Sequence, residues 1–239
     1  MRRIAIVPAL NEETAIAQVI NEIRAYDAEL EIVVIDDGSP DRTAQVARAA
    51  GAHVLRLPFN LGIGGAVQTG FRYAYENGFE LAVRVDGDGQ HDPAQLSAVV
   101  DPVIRGDADI VGGSRYLGRG GEGYRSTAPR RIGIRILAGV VSLLTRQRIT
   151  DPTSGFQALN RKAITLFAVD YPHDYPEVEA LVLLQRHRLR LNEVPIAMRP
   201  RAGGRSSIRT LHSAYYMVKV LIALFVGSFR RNVIPLEDR

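Results

Sequence analysis

Short apolar runs alternate with amphipathic stretches through the first half of the chain. Ile4–Pro8 is apolar and β-branched and reads as a buried strand; the stretch after it places Ile16, Val19, Ile20 and Ile23 on one helical face. Ile32–Ile35 predicts a second strand running into Asp36-Asp37-Gly38-Ser39. Asp41 then predicts an N-cap for a helix over Arg42–Ala50, stopped by Gly51. His53–Leu57 reads as a third strand, Gly64–Glu76 as a helix ended by Asn77-Gly78, and Leu81–Val85 as a fourth strand running straight into Asp86. Asp92-Pro93 caps a further helix to about Ile104, and Asp109–Val111 is a fifth strand. This alternation predicts an α/β fold with a mainly parallel sheet and helices on both faces. Ligands of such sheets gather outside the carboxyl ends of the strands. The polar clusters Pro8–Glu12, Asp36–Ser39, Asn60–Gly65 and Asp86–Asp92 all fall at those ends.

Beyond Arg115 the pattern changes. Leu117–Ser126 is rich in glycine and arginine and reads as a loop, followed by a basic helix over Arg130–Thr145 with Ile132, Ile136, Leu137, Val140, Val141 and Leu144 as its apolar positions. The short segment Gly155–Leu159, a helix from about Glu177 to Arg188 and a strand over Leu191–Ala197 come next. A second loop, Arg199–Ser207, precedes a last helix over Ile208–Phe229. No repeat, low-complexity tract or proline-rich linker divides the chain, so 1–239 reads as a single domain.

That last helix is apolar over much of its circumference, but its charge-free run is only about 10 residues. A spanning helix needs about 20. Core packing, a homodimer interface and a membrane surface all fit, and Tyr215, Tyr216 and Arg230-Arg231 suit the last.

Charge sharpens the division. Through Arg115 there are 10 basic and 17 acidic residues, a balance of −7, whereas the remainder has 20 and 9, a balance of +11. An acidic first half suits a cation site, and a basic second half suits a phosphate-bearing partner, an anionic membrane or simply a solvated surface. Nucleic acid is disfavoured, because no recognised module and no aromatic stacking pattern accompanies the basic residues. The chain has no cysteine, so any metal must be held by oxygen or imidazole. The start, MRRIAIVPALNEE, reads as a first strand and not as a secretory signal, which predicts a cytoplasmic protein.

The segment Val83-Arg84-Val85-Asp86-Gly87-Asp88-Gly89-Gln90-His91-Asp92-Pro93 carries the chemistry. A strand ending in two acids separated by glycine brings both carboxylates near one point, where they repel unless a cation lies between them. Mg²⁺ or Mn²⁺ suits such oxygen ligands and would grip the diphosphate of a donor. A lone pair of acids so spaced is also a common exposed turn.

It does not stand alone. Val7-Pro8-Ala9-Leu10-Asn11-Glu12, Asp36-Asp37-Gly38-Ser39, Asn60-Leu61-Gly62-Ile63-Gly64-Gly65-Ala66 and Asp86-Gly87-Asp88-Gly89-Gln90-His91 together resemble family 2 glycosyltransferases of the GT-A fold. Within them the chain is most similar to the dolichyl-phosphate mannosyltransferase and polyprenyl-phosphate glycosyltransferase branch, over roughly Arg3 to Ile208. The resemblance implies an inverting enzyme that moves a sugar from a nucleotide-diphosphate-sugar donor to a polyprenyl-phosphate-type lipid, with Mg²⁺ or Mn²⁺ as cofactor. Within the single domain, 1–115 reads as the nucleotide-sugar and metal half, 116–210 as the acceptor half and 211–239 as a C-terminal helix and tail. The basic balance after Arg115, with the apolar faces of the two late helices, suits peripheral contact on the inner face of the cell membrane as one alternative.

Position by position, the resemblance implies that Pro8, Ala9, Asn11 and Glu12 line the nucleotide pocket and that Asp37 contacts base or ribose with Asp36 and Gly38 beside it. Gly62, Gly64 and Gly65 let a backbone approach the donor and open a helix whose amides favour phosphate. Asp86, with Gly87 after it, lies near ribose or metal, and Asp88 with Gln90 binds the metal. Gly113-Ser114-Arg115-Tyr116, Asp151-Pro152-Thr153-Ser154-Gly155-Phe156 and Arg201-Ala202-Gly203-Gly204-Arg205-Ser206-Ser207 resemble segments that surround the acceptor and close over the phosphates. The mannosyltransferase branch commonly has a lysine where this chain has Ser207, which leaves Arg201 and Arg205 as the phosphate contacts. His91 is expected to orient the loop and Asp92 to cap a helix.

The acceptor stays open between a lipid phosphate and a hydroxyl of a saccharide or glycolipid. Glu179 matches a glutamate of the mannosyltransferase branch, whereas Glu177 falls where hydroxyl-glycosylating members carry their catalytic carboxylate. A phosphate nucleophile needs no base, but a hydroxyl must lose a proton as it attacks. A dinucleotide enzyme is disfavoured because G-x-G-x-x-G is absent, and no P-loop occurs. A non-catalytic nucleotide-sugar-binding protein is the reading from another class.

Overall fold

The computed structural model describes residues 1–118, 128–199 and 219–225. In chain order the elements are β1 (Arg3–Ala9), α1 (Ile16–Tyr26), β2 (Glu31–Asp36), α2 (Thr43–Ala49), β3 (His53–Arg56), α3 (Gly62–Glu76) and β4 (Leu81–Arg84). A 3₁₀ turn at Pro93–Gln95 leads into α4 (Leu96–Ile104). Then come β5 (Ile110–Ser114), α5 (Ala128–Thr145), β6 (Gln157–Asn160), α6 (Arg161–Val169), α7 (Pro176–Arg186) and β7 (Leu191–Pro195). Residues 219–225 are helical.

The seven strands form one sheet in the order β3-β2-β1-β4-β6-β5-β7. Only β6 runs against its neighbours, pairing antiparallel with both β4 and β5. The other pairs are parallel, as the alternating pattern predicts. Successive strand residues point to opposite faces, and the two cores follow that parity. Ile4, Ile6, Val33, Ile35 and Ala82 join α3, α5, α6, α7 and residues 220 and 224 on one face. Ala5, Val7, Ile32, Val34, Leu81 and Val83 join α1 and α4 on the other. Burying a side chain the size of Phe71 or Ile20 in these layers stabilises by about 1.5–3 kcal/mol each.

Three expectations need correction. The helix α6 was not anticipated; it is nine residues long and contains Ile164 and Thr165, so its pattern is too brief to separate from a strand. Its local signal is Asn160, whose side chain accepts from the Ala163 amide as an N-cap. In α5 the buried positions are Ile134, Leu137 and Val141, while Ile132 and Ile136 face solvent. That helix is apolar on two sides, so periodicity alone could not choose between them. Arg199, expected in a loose loop, is fixed by ion pairs to Glu22 and Asp92 at 2.7 Å each. The rest of that loop, Arg201 and Arg205 included, most of Leu117–Ser126 and most of the last helix lie outside the described residues.

Candidate active site

The loops after β1, β2 and β4 are bonded into one rim. The Asp37 amide donates to the Ala9 carbonyl at 2.9 Å and the Gly87 amide to the Pro8 carbonyl at 3.2 Å, so the segment Pro8–Ala9 lies between the two acidic loops. Asn11 sits in the left-handed region at φ 59, which asparagine tolerates, and its amide donates to Ser39 Oγ. Glu12 is buried, with its amide on Thr43 Oγ1 at 2.9 Å.

The two adjacent aspartates after β2 divide the work. Asp36 is fully buried; its carboxylate accepts from the Ser39 amide at 3.0 Å and pairs with Arg56 at 3.4 Å, so it shapes the turn rather than facing the pocket. Asp37 accepts from the Leu61 amide at 2.7 Å, joining the β2 end to the start of α3. Burial pushes the Asp37 carboxyl up despite amide hydrogen bonds from Leu61 and Gly62 that act the other way. An acid held so, at the end of a strand, is a place where a ribose hydroxyl or base edge gains from hydrogen bonding. Gly38, at φ +75, brings its α-carbon so near the Phe59–Asn60 backbone that an added β-carbon would lie 2.9 Å away. Gly62 and Gly65 open α3 beside it, and Gly64 faces the carbonyls of Pro172 and His173 with no room for a side chain.

At the end of β4 the acids fold inward. Asp88 is buried, its Oδ1 accepting from the Gln90 amide at 3.0 Å across the turn. The Asp86 amide donates to His91 Nδ1 at 3.1 Å. His91 is buried against the Phe156 ring at 5.0 Å, and burial lowers its pKa, so the neutral imidazole serves as a strut for the loop. Asp92 accepts from the Ala94 amide as the predicted cap. The loop is also sewn to the segment after β7: Arg199 donates its amide to the Gln90 carbonyl, and Gln95 exchanges bonds with Ala197.

One residue that the sequence reading quoted without a role stands at the centre. Arg84 is 2% exposed; its guanidinium lies 2.8 Å from Glu177 and 3.3 Å from Asp86, and donates to the Tyr171 hydroxyl at 3.4 Å. Burial works against the charge on Arg84, and the carboxylates of Asp86 and Glu177 outweigh it, leaving the guanidinium more firmly protonated than usual. Burial likewise acts to raise Asp86, but Arg84, with His91 and Arg115 assisting, holds its carboxyl below the usual carboxylate range. The signal in the sequence was an arginine inside an otherwise apolar strand, Leu81-Ala82-Val83-Arg84.

The residues fit a hard divalent cation. Among the described residues no cluster of three His, Cys, Asp or Glu could hold a metal unaided. A hard divalent ion can be taken by one or two carboxylates and completed by substrate phosphates. Asp86 and Glu177 share the guanidinium of Arg84, and Asp88 stands two residues after Asp86, so the end of β4 is rich in the hard oxygen donors that such an ion takes.

The segments around Arg115 and Asp151 bond into a closed wall. Arg115 grips Asp151 with two bonds of 2.6 and 2.7 Å and reaches Thr153, while Glu193 accepts from the amides of Thr150 and Asp151. Glu177 and Glu179 occupy the first turn of α7.

The sheet with its flanking helices is the fold of GT-A glycosyltransferases, as comparison with solved structures shows. Glucosyl-3-phosphoglycerate synthase from Mycobacterium tuberculosis superposes with a TM-score of 0.73 at 23% identity, covering 97% of this chain and 81% of that one. Its complex with Mn²⁺, UDP-glucose and glycerol 3-phosphate gives 0.65 at 26% identity, over 95% and 80%. The chain belongs to glycosyl transferase family 2, whose model matches residues 4–167. It is 32% identical to undecaprenyl-phosphate mannosyltransferase of Micrococcus luteus, over 87% of this chain and 88% of the relative. It is 30% identical to UDP-N-acetylglucosamine–dolichyl-phosphate N-acetylglucosaminyltransferase of Methanococcus voltae, over 80% and 83%. The chain is therefore a family 2 glycosyltransferase of the polyprenyl-phosphate branch.

Proposed function

We propose that the protein transfers a sugar, with inversion, from a nucleotide-diphosphate-sugar to a polyprenyl phosphate, using Mg²⁺ or Mn²⁺. The observation that carries this is the acid pair Asp86 and Asp88 at the end of β4, next to Asp37 and the opening of α3. Relatives named for polyprenyl-phosphate acceptors support the acceptor class, and the Mn²⁺ and UDP-glucose bound by the synthase support the donor and metal.

In this reading Asp86 and Asp88, with Gln90 beside them, hold the cation, which supplies charge neutralisation on the diphosphate. Asp37 takes ribose or base, and Pro8, Ala9, Asn11 and Glu12 form the rim around it. The first amides of α3, after Gly62, point at phosphate with the favourable end of the helix dipole. Arg201 and Arg205 act as further phosphate contacts. The acceptor enters from α7, opposite the leaving nucleotide, and a phosphate there is already an anionic nucleophile.

A second reading has a hydroxyl acceptor and Glu177 as base. It is favoured by the placement of Glu177, 20% exposed in the first turn of α7 and held in direction by Arg84. One assay separates the two. UDP-, GDP- and dTDP-sugars are offered with Mn²⁺ and either undecaprenyl phosphate or a saccharide. At saturating donor, the proposal expects transfer to the phosphate at a maximal rate that Glu177→Gln changes by less than about threefold. Transfer to a hydroxyl alone, cut roughly 10²-fold or more by Glu177→Gln, would replace it with the second reading.

Contact with the inner, cytoplasmic face of the membrane belongs to the same proposal. On α5, Ile132, Ile136 and Leu143 are exposed beside Arg131 and Arg135, and Arg146 and Arg148 follow. Ile222 and Phe225 are exposed as well. Apolar side chains among arginines suit an anionic bilayer surface. Among the described residues no helix is long and apolar enough to cross it. Vesicles with phosphatidylglycerol should carry the protein upward on flotation at low salt and release it at high salt. No flotation, with a dimer in solution, would assign these side chains to a second copy of the chain instead.

A further inference from the structure

We propose that Arg84 is a positioning residue that couples the donor side of the site to the acceptor side, by holding Asp86 and Glu177 on a single guanidinium. The proposal rests on the reading of Asp86 as a carboxylate of the cation site, and extends it to a residue with no assigned part.

Packing alone does not call for this arginine. A charge inside a buried strand loses several kcal/mol of hydration, and apolar replacements of buried ion pairs are often neutral or stabilising. What distinguishes Arg84 is where its partners come from. Asp86 follows on its own strand, whereas Glu177 lies 93 positions further along, in the first turn of α7. Nη2 reaches both carboxylates, at 3.3 and 2.8 Å, so they share one end of the fork. The third partner, Tyr171, is neutral: burial pushes its hydroxyl pKa further up. On the Gly155 side there is no slack, because a β-carbon there would lie 2.9 Å from both Arg84 Nη2 and Asp86 Oδ2.

Sharing has a consequence. Asp86 engaged with a cation would be less available to the guanidinium, which would then bond more fully to Glu177. Conversely, when Glu177 loses its charge or its reach, the guanidinium closes on Asp86 and competes with the cation. Glu177 is on the acceptor side, yet its substitution should weaken donor binding, through Arg84.

Calorimetry of UDP and GDP binding in the presence of Mn²⁺ tests this without turnover. With the better-bound nucleotide, Glu177→Gln should weaken binding about fivefold to tenfold, a coupling of the size expected for groups in one ion-pair network. Glu177→Asp keeps the charge but shortens the reach, and should lose most of that factor too. Were the effect one of net charge through space, Glu177→Asp would bind as the wild type does, and the proposal would be overturned. In an Arg84→Lys background, where one ammonium replaces the fork, Glu177→Gln should change binding by less than twofold. An undiminished effect there also overturns it. The Glu177 variants alone keep the test decisive if Arg84→Lys does not fold. Wild-type protein that binds neither nucleotide with Mn²⁺ would instead refute the cation-site reading on which the proposal stands.

Discussion

Two buried arginines, Arg84 and Arg115, look alike in composition and differ in use. Both guanidiniums are almost sealed, at 2% and 5% exposure, and both face aspartate. The Asp151 side chain has no exposed surface, Arg115 and Thr153 donate to its carboxylate, and Glu193 accepts from its amide. The carboxylates on Arg84 are instead 32% and 20% exposed, so each still presents oxygen to the pocket. A closed pair makes a rigid wall for the acceptor half. An open one keeps lone pairs for a ligand while the arginine fixes their direction. Both arginines are buried alike, so what separates the proposed site from the wall is the exposure of their partners.

The comparison breaks most visibly in stability. Arg115→Met strands Asp151 without its counter-ion and should cost about 3–5 kcal/mol in urea unfolding. A loss below 1 kcal/mol would show that the wall does not depend on this pair. Gly155→Ala pushes a methyl into the space between Arg84 and Asp86, and should cost about 1–3 kcal/mol as an overpacked site. It should also slow transfer more than it destabilises, since it displaces the open pair and not the closed one. Unchanged turnover would contradict that. Removing the α6 cap with Asn160→Ala should cost about 1 kcal/mol by the same unfolding measurement, with kcat unaltered.

Acid gives the mildest probe. Asp86 and Asp109 both have carboxyls held below the usual range: burial acts to raise each, and Arg84 for Asp86, or the Arg190 and Asn160 contacts for Asp109, outweighs it. A depressed pKa gives stability that is complete above the unfolded value near 4 and lost as pH falls through the folded value. Thermal melts should accordingly show these contributions constant from pH 5 to 7 and fading below about pH 4. An Asp109→Asn variant that melts at the same temperature as wild type at pH 7 would contradict the assignment.

The donor half was readable because its physics is local. Its strands are short apolar runs that lead straight into polar loops, so Ile32–Ile35 and Asp36–Ser39 announce strand and loop together. The Asp41 expectation was off by one position: Arg42 is the N-cap of α2 and gives no side-chain cap, while Asp41, one residue earlier, accepts from the Thr43 amide at 3.0 Å. The acceptor half depends on contacts between distant positions. Nothing near Arg84 in the chain foretells Glu177, and nothing near Arg115 foretells Asp151. The antiparallel insertion of β6 between β4 and β5 was equally out of reach, because Gly155–Leu159 is too short to declare its direction. Asp36 and Asp37 are identical side chains one residue apart, and only the fold reveals which faces inward.

The central claim is that Asp88 holds a cation that the donor requires. Mn²⁺-dependent binding of UDP and GDP, measured by calorimetry on wild type and Asp88→Ala, tests it most directly. Wild type should bind one of them in the micromolar range with Mn²⁺ and at least tenfold more weakly with a chelator, while Asp88→Ala should bind with the weaker affinity in both conditions. Equal Mn²⁺-dependent affinities for the two proteins, with both folded, would contradict the account.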